Sequence, residues 1–445
     1  MLSSAAPPAA RAGHYRWLIC AILFAATTVN YVDRNVLSFT MLDKAFRRTI
    51  LGLPDGATLG DAELARFKVV RGYVDAAFKL AYAIGFVIAG SMMDRLGTRR
   101  GFSISISVWS LAGVAHGFAN GAATMAGARF VLGLGEAGNF PAANKSIAEW
   151  FPRRERSFAI GLFNAGANVG IILTAAAVPL IIATLEWRAS FIITGGLGAL
   201  VLVFWLAAYY HRPDTHPRVT SQELAYIRSG DEPGDGDAPV TWRQLLPFKA
   251  VWAFAIAKFL TDAVWWFYLT WLPTFFNDSA ALETKLDLKT VGLPFIVIYL
   301  ISDAGSIFFG WLATHLIGRG WPVNRARKTT MLICALCVVP ILFASMTSSL
   351  MVAIALISLA TAAHQGWSAN LFTTVSDMFP KRAVGTVTGI GGMFGGIGGA
   401  LLAAIAGNVI AFAGYLPLFV FASCAYLAAL GIIQLLAPRL DRVEL

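Results

Sequence analysis

The chain carries little charge for its length. Only 13% of its 445 residues are Asp, Glu, Lys or Arg, whereas soluble proteins carry about a quarter. Apolar residues dominate instead: 57% of the residues are hydrophobic, and the mean hydropathy is +0.66. A water-soluble globule of this size cannot bury so much apolar surface, and the same composition excludes a disordered chain. An integral membrane protein remains.

Motifs for cofactors, metals and nucleophilic catalysis are lacking as well. Cys334 and Cys337 have the spacing of a redox or metal motif, but no second ligand pair is near, so we interpret the four cysteines as helix-packing residues. The glycine run at 389–399 has no preceding strand and no following Lys-Ser/Thr, which favours helix packing over phosphate binding. We therefore expect no cofactor, no metal and no enzyme activity.

Long apolar runs are abundant. A transmembrane helix needs about 20 mostly apolar residues. Basic residues outnumber acidic ones by 35 to 25 and concentrate on one set of loops, which indicates the positive-inside bias rather than nucleic-acid binding and predicts that both termini are cytoplasmic. The sequence thus predicts an all-α membrane protein with twelve transmembrane helices, at about 16–40, 72–93, 101–121, 124–150, 156–182, 189–210, 250–277, 290–316, 328–347, 350–378, 384–408 and 411–436.

The helices divide into two pseudo-symmetric six-helix halves. A Pro/Gly/Asp-rich linker separates them and contains one predicted short helix around Ser221–Ser229. The string from Gly90 to Arg100 has a weak counterpart from Gly310 to Arg319, and related halves are typical of secondary transporters. The predicted divisions are a cytoplasmic tail at 1–15, an N-terminal half at 16–210, the linker at 211–249, a C-terminal half at 250–436 and a second tail at 437–445. The outer loop 43–71 has no predicted role.

Several strings carry a family resemblance. GSMMDRLGTRR (90–100) resembles the loop signature of the major facilitator superfamily. NYVDRN (30–35), the string at 129–156 and AHQGWSANLFTTVSDMFP (363–380) resemble its anion:cation symporter branch, and most of all bacterial hexuronate transporters. The fifth helix has Gly166-Ala-Asn168-Val-Gly170 in place of the Gly-Pro pair of drug/proton antiporters.

The resemblance implies a proton-coupled symporter that imports sugar-acid anions such as glucuronate and galacturonate by alternating access. Its partners would be the sugar acid, a proton and the lipid bilayer, and it would be a monomer of the bacterial inner membrane. The same mechanism acting on galactonate or a related aldonate is the alternative. A facilitative uniporter and a membrane-embedded enzyme also stay open.

Ionisable residues within the apolar runs are the strongest functional signal, because each costs a few kcal/mol at membrane depth unless it faces a polar cavity or a partner. Arg34 could bind a substrate carboxylate through two donors, or pair with Asp33 within its helix. Arg129 and Glu136 lie seven residues apart on one helix face. They could form a site that takes up and releases a proton, or a static salt bridge that holds helices together. The resemblance assigns Arg34 to the substrate carboxylate, Glu136 to proton coupling and Arg129 to an essential site role. Asp33 is predicted to take up a proton together with Glu136.

Other polar and aromatic residues complete the predicted site. Lys79 departs from the family, which has a neutral residue there; it is either a second cation for the substrate or an i,i+4 partner of Asp75. Lys258 and Asp262 are interpreted as a self-satisfied pair, and one of the two adjacent tryptophans 265 and 266 is expected to line the pocket. The predicted substrate contacts are Arg34, Tyr31, Lys79, Tyr82, Arg129, Asn168, Trp265, Trp266, His364, Gln365, Trp367 and Asn370.

The loop after the second helix is predicted to be a conformational latch. Asp94 could reach a neighbouring helix terminus or an arginine when the carrier opens outward. The alternative is that its basic residues only set topology. The predicted gating residues are Gly90, Asp94, Arg95 and Arg99.

Overall fold

Helices make up nearly all of the structure, a computed structural model that describes residues 13–209, 212–229 and 240–444. In these described ranges, ten helices are long and apolar enough to cross a membrane. Within the described residues, α4 and the consecutive pair α5–α6 complete the twelve predicted spans. Parts of the predicted N-terminal tail (1–12) and linker (211 and 230–239), and residues 210 and 445, lie outside the described residues.

Between residues 13 and 209, the described part of the N-terminal half contains eight helices. Their bounds are α1 Tyr15–Thr40, α2 Lys44–Leu51, α3 Asp61–Leu96, α4 Thr98–His116, α5 Ala122–Glu136, α6 Asn139–Trp150, α7 Arg153–Leu185 and α8 Trp187–Ala208. We call the end of the bundle where α1 begins and α8 ends the linker side, and the end with α2 the far side.

Two short helices, α9 Ser221–Ile227 and α10 Trp242–Leu245, lie in the linker and precede the C-terminal half. The spans of that half are α11 Lys249–Asp278, α12 Gly292–Gly318, α13 Val323–Val338 with a 3-10 continuation over Val339–Ser345, α14 Leu350–Met378, α15 Lys381–Ala413 and α16 Leu416–Leu436.

The linker helix α9 confirms the prediction of a short helix at Ser221. Thr220 caps it by accepting a hydrogen bond from the Glu223 backbone N–H at 3.2 Å. The helix docks on the N-terminal half: Tyr226 Oη donates to Glu155 Oε1 at 2.6 Å, and Arg16 pairs with both Glu155 and Glu223. The linker is thus attached to the half that precedes it.

The predicted outer loop 43–71 is wrong in part. It contains α2, and α3 begins at Asp61 rather than near residue 72. The reason is local capping: Glu63 accepts from the Gly60 backbone N–H at 3.1 Å, which starts a helix whose first turns are too charged for a hydropathy window to recognise. The predicted helix 124–150 is also interrupted, between α5 and α6.

The two halves meet mainly along α3 with α15 and α7 with α12. Small residues permit this approach, since a Cβ on Gly72 would lie 2.6 Å from the Ala403 carbonyl oxygen. Contacts continue at the far side, where Arg47 donates to Asn277 at 3.1 Å and Phe39 packs on Phe295. The far side of the bundle is therefore closed between the halves.

Candidate functional site

An ion pair between two different helices lies at the centre of the bundle. Arg34 of α1 and Glu136 of α5 are joined by an Nε–Oε2 contact of 2.8 Å, and their side chains are 5% and 0% exposed. Asn30, one turn before Arg34, accepts from Nη2 at 3.2 Å. The second carboxylate oxygen of Glu136 has no hydrogen-bond partner among the described residues. Arg34 therefore pairs with a neighbouring helix, and the predicted alternative of a pair with Asp33 is wrong.

Aromatic rings surround the Arg34 guanidinium. Its Cζ lies 4.4 Å from the ring centroid of Tyr31, 4.7 Å from Tyr82 and 5.2 Å from Trp266. Phe78 adds a fourth ring at 5.6 Å. Each face can attract the cation, and together the rings exclude water from it. Trp266 belongs to α11, so the guanidinium sits between the two halves of the bundle.

Arg129 lies beside this pair without joining it. Both terminal nitrogens of Arg129 donate to the Arg34 backbone carbonyl at 3.3 Å, and Nη2 lies 3.6 Å from Asp75 Oδ1. Asp75 thus faces Arg129, and the predicted i,i+4 pair of Asp75 with Lys79 is wrong. The structure brings Arg34, Arg129 and Glu136 into one buried cluster, so these charges avoid lipid.

Asp33 points away from the cluster within the N-terminal half. It is 3% exposed and lies beside Gly113 of α4. Both of its carboxylate oxygens lack a hydrogen-bond partner within the described part of the chain. A buried carboxylate with no partner is costly as an anion, so this position suits a group that carries a proton.

Lys79 is buried at the interface between the halves. It is 1% exposed, and its Nζ lies 5.5 Å from the centroid of the Trp266 ring. Tyr82, one turn further along α3, packs edge-on against the same ring at 5.9 Å. Of the two tryptophans, Trp266 is therefore the one that faces the charged cluster.

Trp265 faces the interior of the C-terminal half. It stacks on the His364 imidazole with centroids 4.5 Å apart and planes 3° apart. His364 Nδ1 lies 2.5 Å from Tyr426 Oη, and Trp367 packs edge-on against the same tyrosine. These residues form a polar-aromatic group that makes no direct contact with Arg34 among the described residues.

The remaining polar residues on α14 and α11 differ in whether they have a structural partner. Asn370 donates to the Gly366 carbonyl at 2.9 Å. Gln365 is half-buried and has no hydrogen-bond partner in the described ranges. Lys258 and Asp262 pair at 2.7 Å, as their spacing predicts.

Asn168 connects the two halves at mid-bundle. Its side-chain amide on α7 donates to the carboxylate of Asp303 on α12. The predicted substrate contact at Asn168 is thus engaged across the interface, where parting of the halves would release it.

The predicted latch is partly described. Arg99 donates to the Leu206 carbonyl at 2.9 Å, Arg95 is exposed, and a Cβ on Gly90 would meet open space. The side chain of Asp94 lies outside the described residues. The loop is therefore tied to α8 through Arg99.

One buried arginine, Arg71, was not predicted from the sequence as a site residue. Arg71 falls in the predicted outer loop but lies on α3, 1% exposed, with its guanidinium 4.1 Å from the Trp271 ring. It donates to the Thr274 hydroxyl and the Thr270 carbonyl of α11. The sequence signal that could have found Arg71 is its position four residues before Asp75, which places the two side chains on one face of a helix.

Comparisons with known proteins fit this geometry. Residues 23–403 match the family model described as Major Facilitator Superfamily. The chain belongs to the Major Facilitator Superfamily. The predicted fold class and family resemblance are confirmed, and membership of this transporter family identifies a carrier rather than a membrane-embedded enzyme.

Relatives span nearly the whole chain. The D-galactonate transporter of Escherichia coli O6:H1 is 29% identical over 439 residues, which cover 96% of this chain and 97% of the relative. The hexuronate transporter of Escherichia coli K12 is 29% identical, with 91% and 90% covered. The probable galactarate/D-glucarate transporter GudP of Bacillus subtilis 168 is also 29% identical, with 98% and 95% covered.

Solved structures show the same fold. A D-xylose-proton symporter superposes with a TM-score of 0.70 at 15% identity, covering 94% of this chain and 97% of the other.

Proposed function

We propose that this protein is a proton-coupled symporter that imports sugar-acid anions, in particular hexuronates such as glucuronate and galacturonate, across a bacterial inner membrane. The observation that carries the proposal is the buried Arg34–Glu136 pair at 2.8 Å, which joins α1 to α5 within the N-terminal half and faces Trp266 of the C-terminal half. The three relatives described above are named for different sugar acids, all of which bear a carboxylate. A guanidinium surrounded by aromatic rings binds a carboxylate well, because it can donate two parallel hydrogen bonds to the carboxylate oxygens.

Competition for Arg34 couples the two solutes. A substrate carboxylate that pairs with Arg34 displaces Glu136, and a displaced carboxylate in this dry site is costly until it takes a proton. The proton comes from the outer medium and leaves to the cytoplasm after the sugar acid departs, when Glu136 pairs with Arg34 again. Asp33, whose carboxylate oxygens make no hydrogen bond to any described residue, is the second proton carrier.

Alternating access follows from where the halves touch. The linker side faces the cytoplasm in this proposal, so the contacts of Arg47 with Asn277 and of Arg71 with α11 close the outer side. The halves rock about the central cluster to open one side at a time. The structure then represents the outer-closed carrier with its Arg34–Glu136 pair intact.

Transport by Glu136→Gln in proteoliposomes tests the coupling. We expect loss of accumulation driven by a pH gradient, with counterflow of labelled glucuronate partly retained, because glutamine cannot carry the proton. Glu283→Gln, on an exposed far-side loop, is the matched control and should accumulate normally. Full accumulation by Glu136→Gln would remove that residue from coupling.

The alternative substrate is galactonate or a related aldonate, favoured by the relative named for D-galactonate. Competition of labelled glucuronate uptake by galacturonate, galactonate and glucarate separates the two. Wild-type uptake that is insensitive to uncouplers would identify a uniporter instead.

A further inference from the structure

Lys79 is the buried cation of the central cluster that has no counter-ion. Arg34 pairs with Glu136, and Arg129 pairs with Asp75. Lys79 is 1% exposed and makes no hydrogen bond or ion pair within 4.0 Å in the described ranges. Desolvating a lysine ammonium without a partner costs several kcal/mol, so a stability role alone does not account for it.

The Lys79 ammonium lies where the two halves separate. It borders a narrow crevice whose other walls come from α11 and α15, including Trp271 and Gly399. Those walls are otherwise apolar, so Lys79 is the charged group that the crevice presents. The crevice opens when the halves part on the far side, and a ligand can then reach it.

Arg34 and Lys79 both lie close to one aromatic ring. The Arg34 Cζ is 5.2 Å and the Lys79 Nζ is 5.5 Å from the Trp266 centroid. An indole face packs well on the carbon skeleton of a sugar, with polar groups reaching past its edges. A ligand seated on Trp266 can therefore meet one cation with each end.

Charge balance points to the same ligand. Once Asp33 and Glu136 carry protons, as in the proposed function, the cations Arg34, Lys79 and Arg129, with Arg71 nearby on α3, face the single anion Asp75. A dianionic sugar acid compensates one more of these positive charges than a monoanion does. Buried charges are tolerated when they are paired, so the dianion favours closure of the halves.

We propose that Lys79 binds a second carboxylate of the substrate, so that the carrier also accepts sugar acids with a carboxylate at each end. This inference rests on the proposed function and extends its substrate class. Lys79 acts through its charge at the second end of the ligand, while Arg34 holds the first carboxylate in both substrate classes.

Uptake by Lys79→Met and Lys79→Arg, with labelled galactarate and labelled glucuronate, tests the inference. For Lys79→Met we expect galactarate uptake to fall by about tenfold or more in kcat/KM, and glucuronate uptake to change by less than about threefold. Lys79→Arg should restore galactarate uptake at least in part. Lys289→Met, which removes a charge from an exposed loop, should leave both uptakes unchanged.

Binding to the purified protein gives a second measurement. Galactarate should raise the melting temperature of the wild type and not that of Lys79→Met, while glucuronate raises both. The inference is overturned if galactarate fails to compete with glucuronate in the wild type, or if Lys79→Met loses both substrates equally. Failure of the wild type to take up any sugar acid would instead overturn the proposed function.

Discussion

Removal of the Arg34 guanidinium gives the sharpest test of the central cluster. Arg34→Ala leaves Glu136 buried at 0% exposure without its partner, and breaking such a pair from one side costs about 3–5 kcal/mol. Replacing both residues, as in Arg34→Ala/Glu136→Gln, removes the uncompensated charge. We therefore expect the double variant to be more stable than Arg34→Ala, with a coupling energy of about 1–3 kcal/mol.

The assay compares the melting temperatures of wild type, both single variants and the double variant at one detergent, pH and scan rate. Glucuronate should stabilise the wild type and neither variant that lacks Arg34, because the guanidinium that binds its carboxylate is absent. The reasoning fails if Arg34→Ala and the double variant are equally unstable. Unchanged glucuronate affinity in Arg34→Ala would likewise refute the assignment of Arg34 to the substrate.

Three further changes probe the closure and the linker. Arg71→Met should weaken the contact between the halves on the far side. In the Thr274→Cys background, the cysteine should therefore react faster with an impermeant maleimide when Arg71 is replaced by Met than when Arg71 is present, and an equal rate would contradict this role of Arg71. Gly72→Val should force α3 from α15 and lower the yield of monodisperse protein in size-exclusion chromatography; a normal yield would contradict the close approach. Tyr226→Phe removes the bond to Glu155, worth about 1 kcal/mol, and should speed proteolysis of the linker, whereas an unchanged rate would show that α9 docks by other contacts.

The gathering of Arg34, Arg129 and Glu136 could be predicted from sequence. Each is an ionisable residue inside an apolar run, and lipid leaves such a group few places other than a shared interior. The pairing of Lys258 with Asp262 was predictable for a simpler reason, since both lie on one helix at i,i+4.

The role of Arg71 and the start of α3 could not be predicted in the same way. A hydropathy window excludes charged turns, and those turns run from Asp61 to the first apolar stretch. The partners of Arg71 lie on α11, about two hundred residues away in the chain, so no local pattern signals them.

By itself, the sequence determined the apolar spans, the two related halves, the short linker helix and the buried charges that must be compensated. The tertiary structure decided which charges pair: Arg34 with Glu136 rather than Asp33, and Asp75 with Arg129 rather than Lys79. The reason is physical: a charge inside an apolar run must be compensated wherever the helix lies, whereas pairing depends on which helices lie side by side. Both pairs form among α1, α3 and α5, so the packing of helices within the N-terminal half decides them.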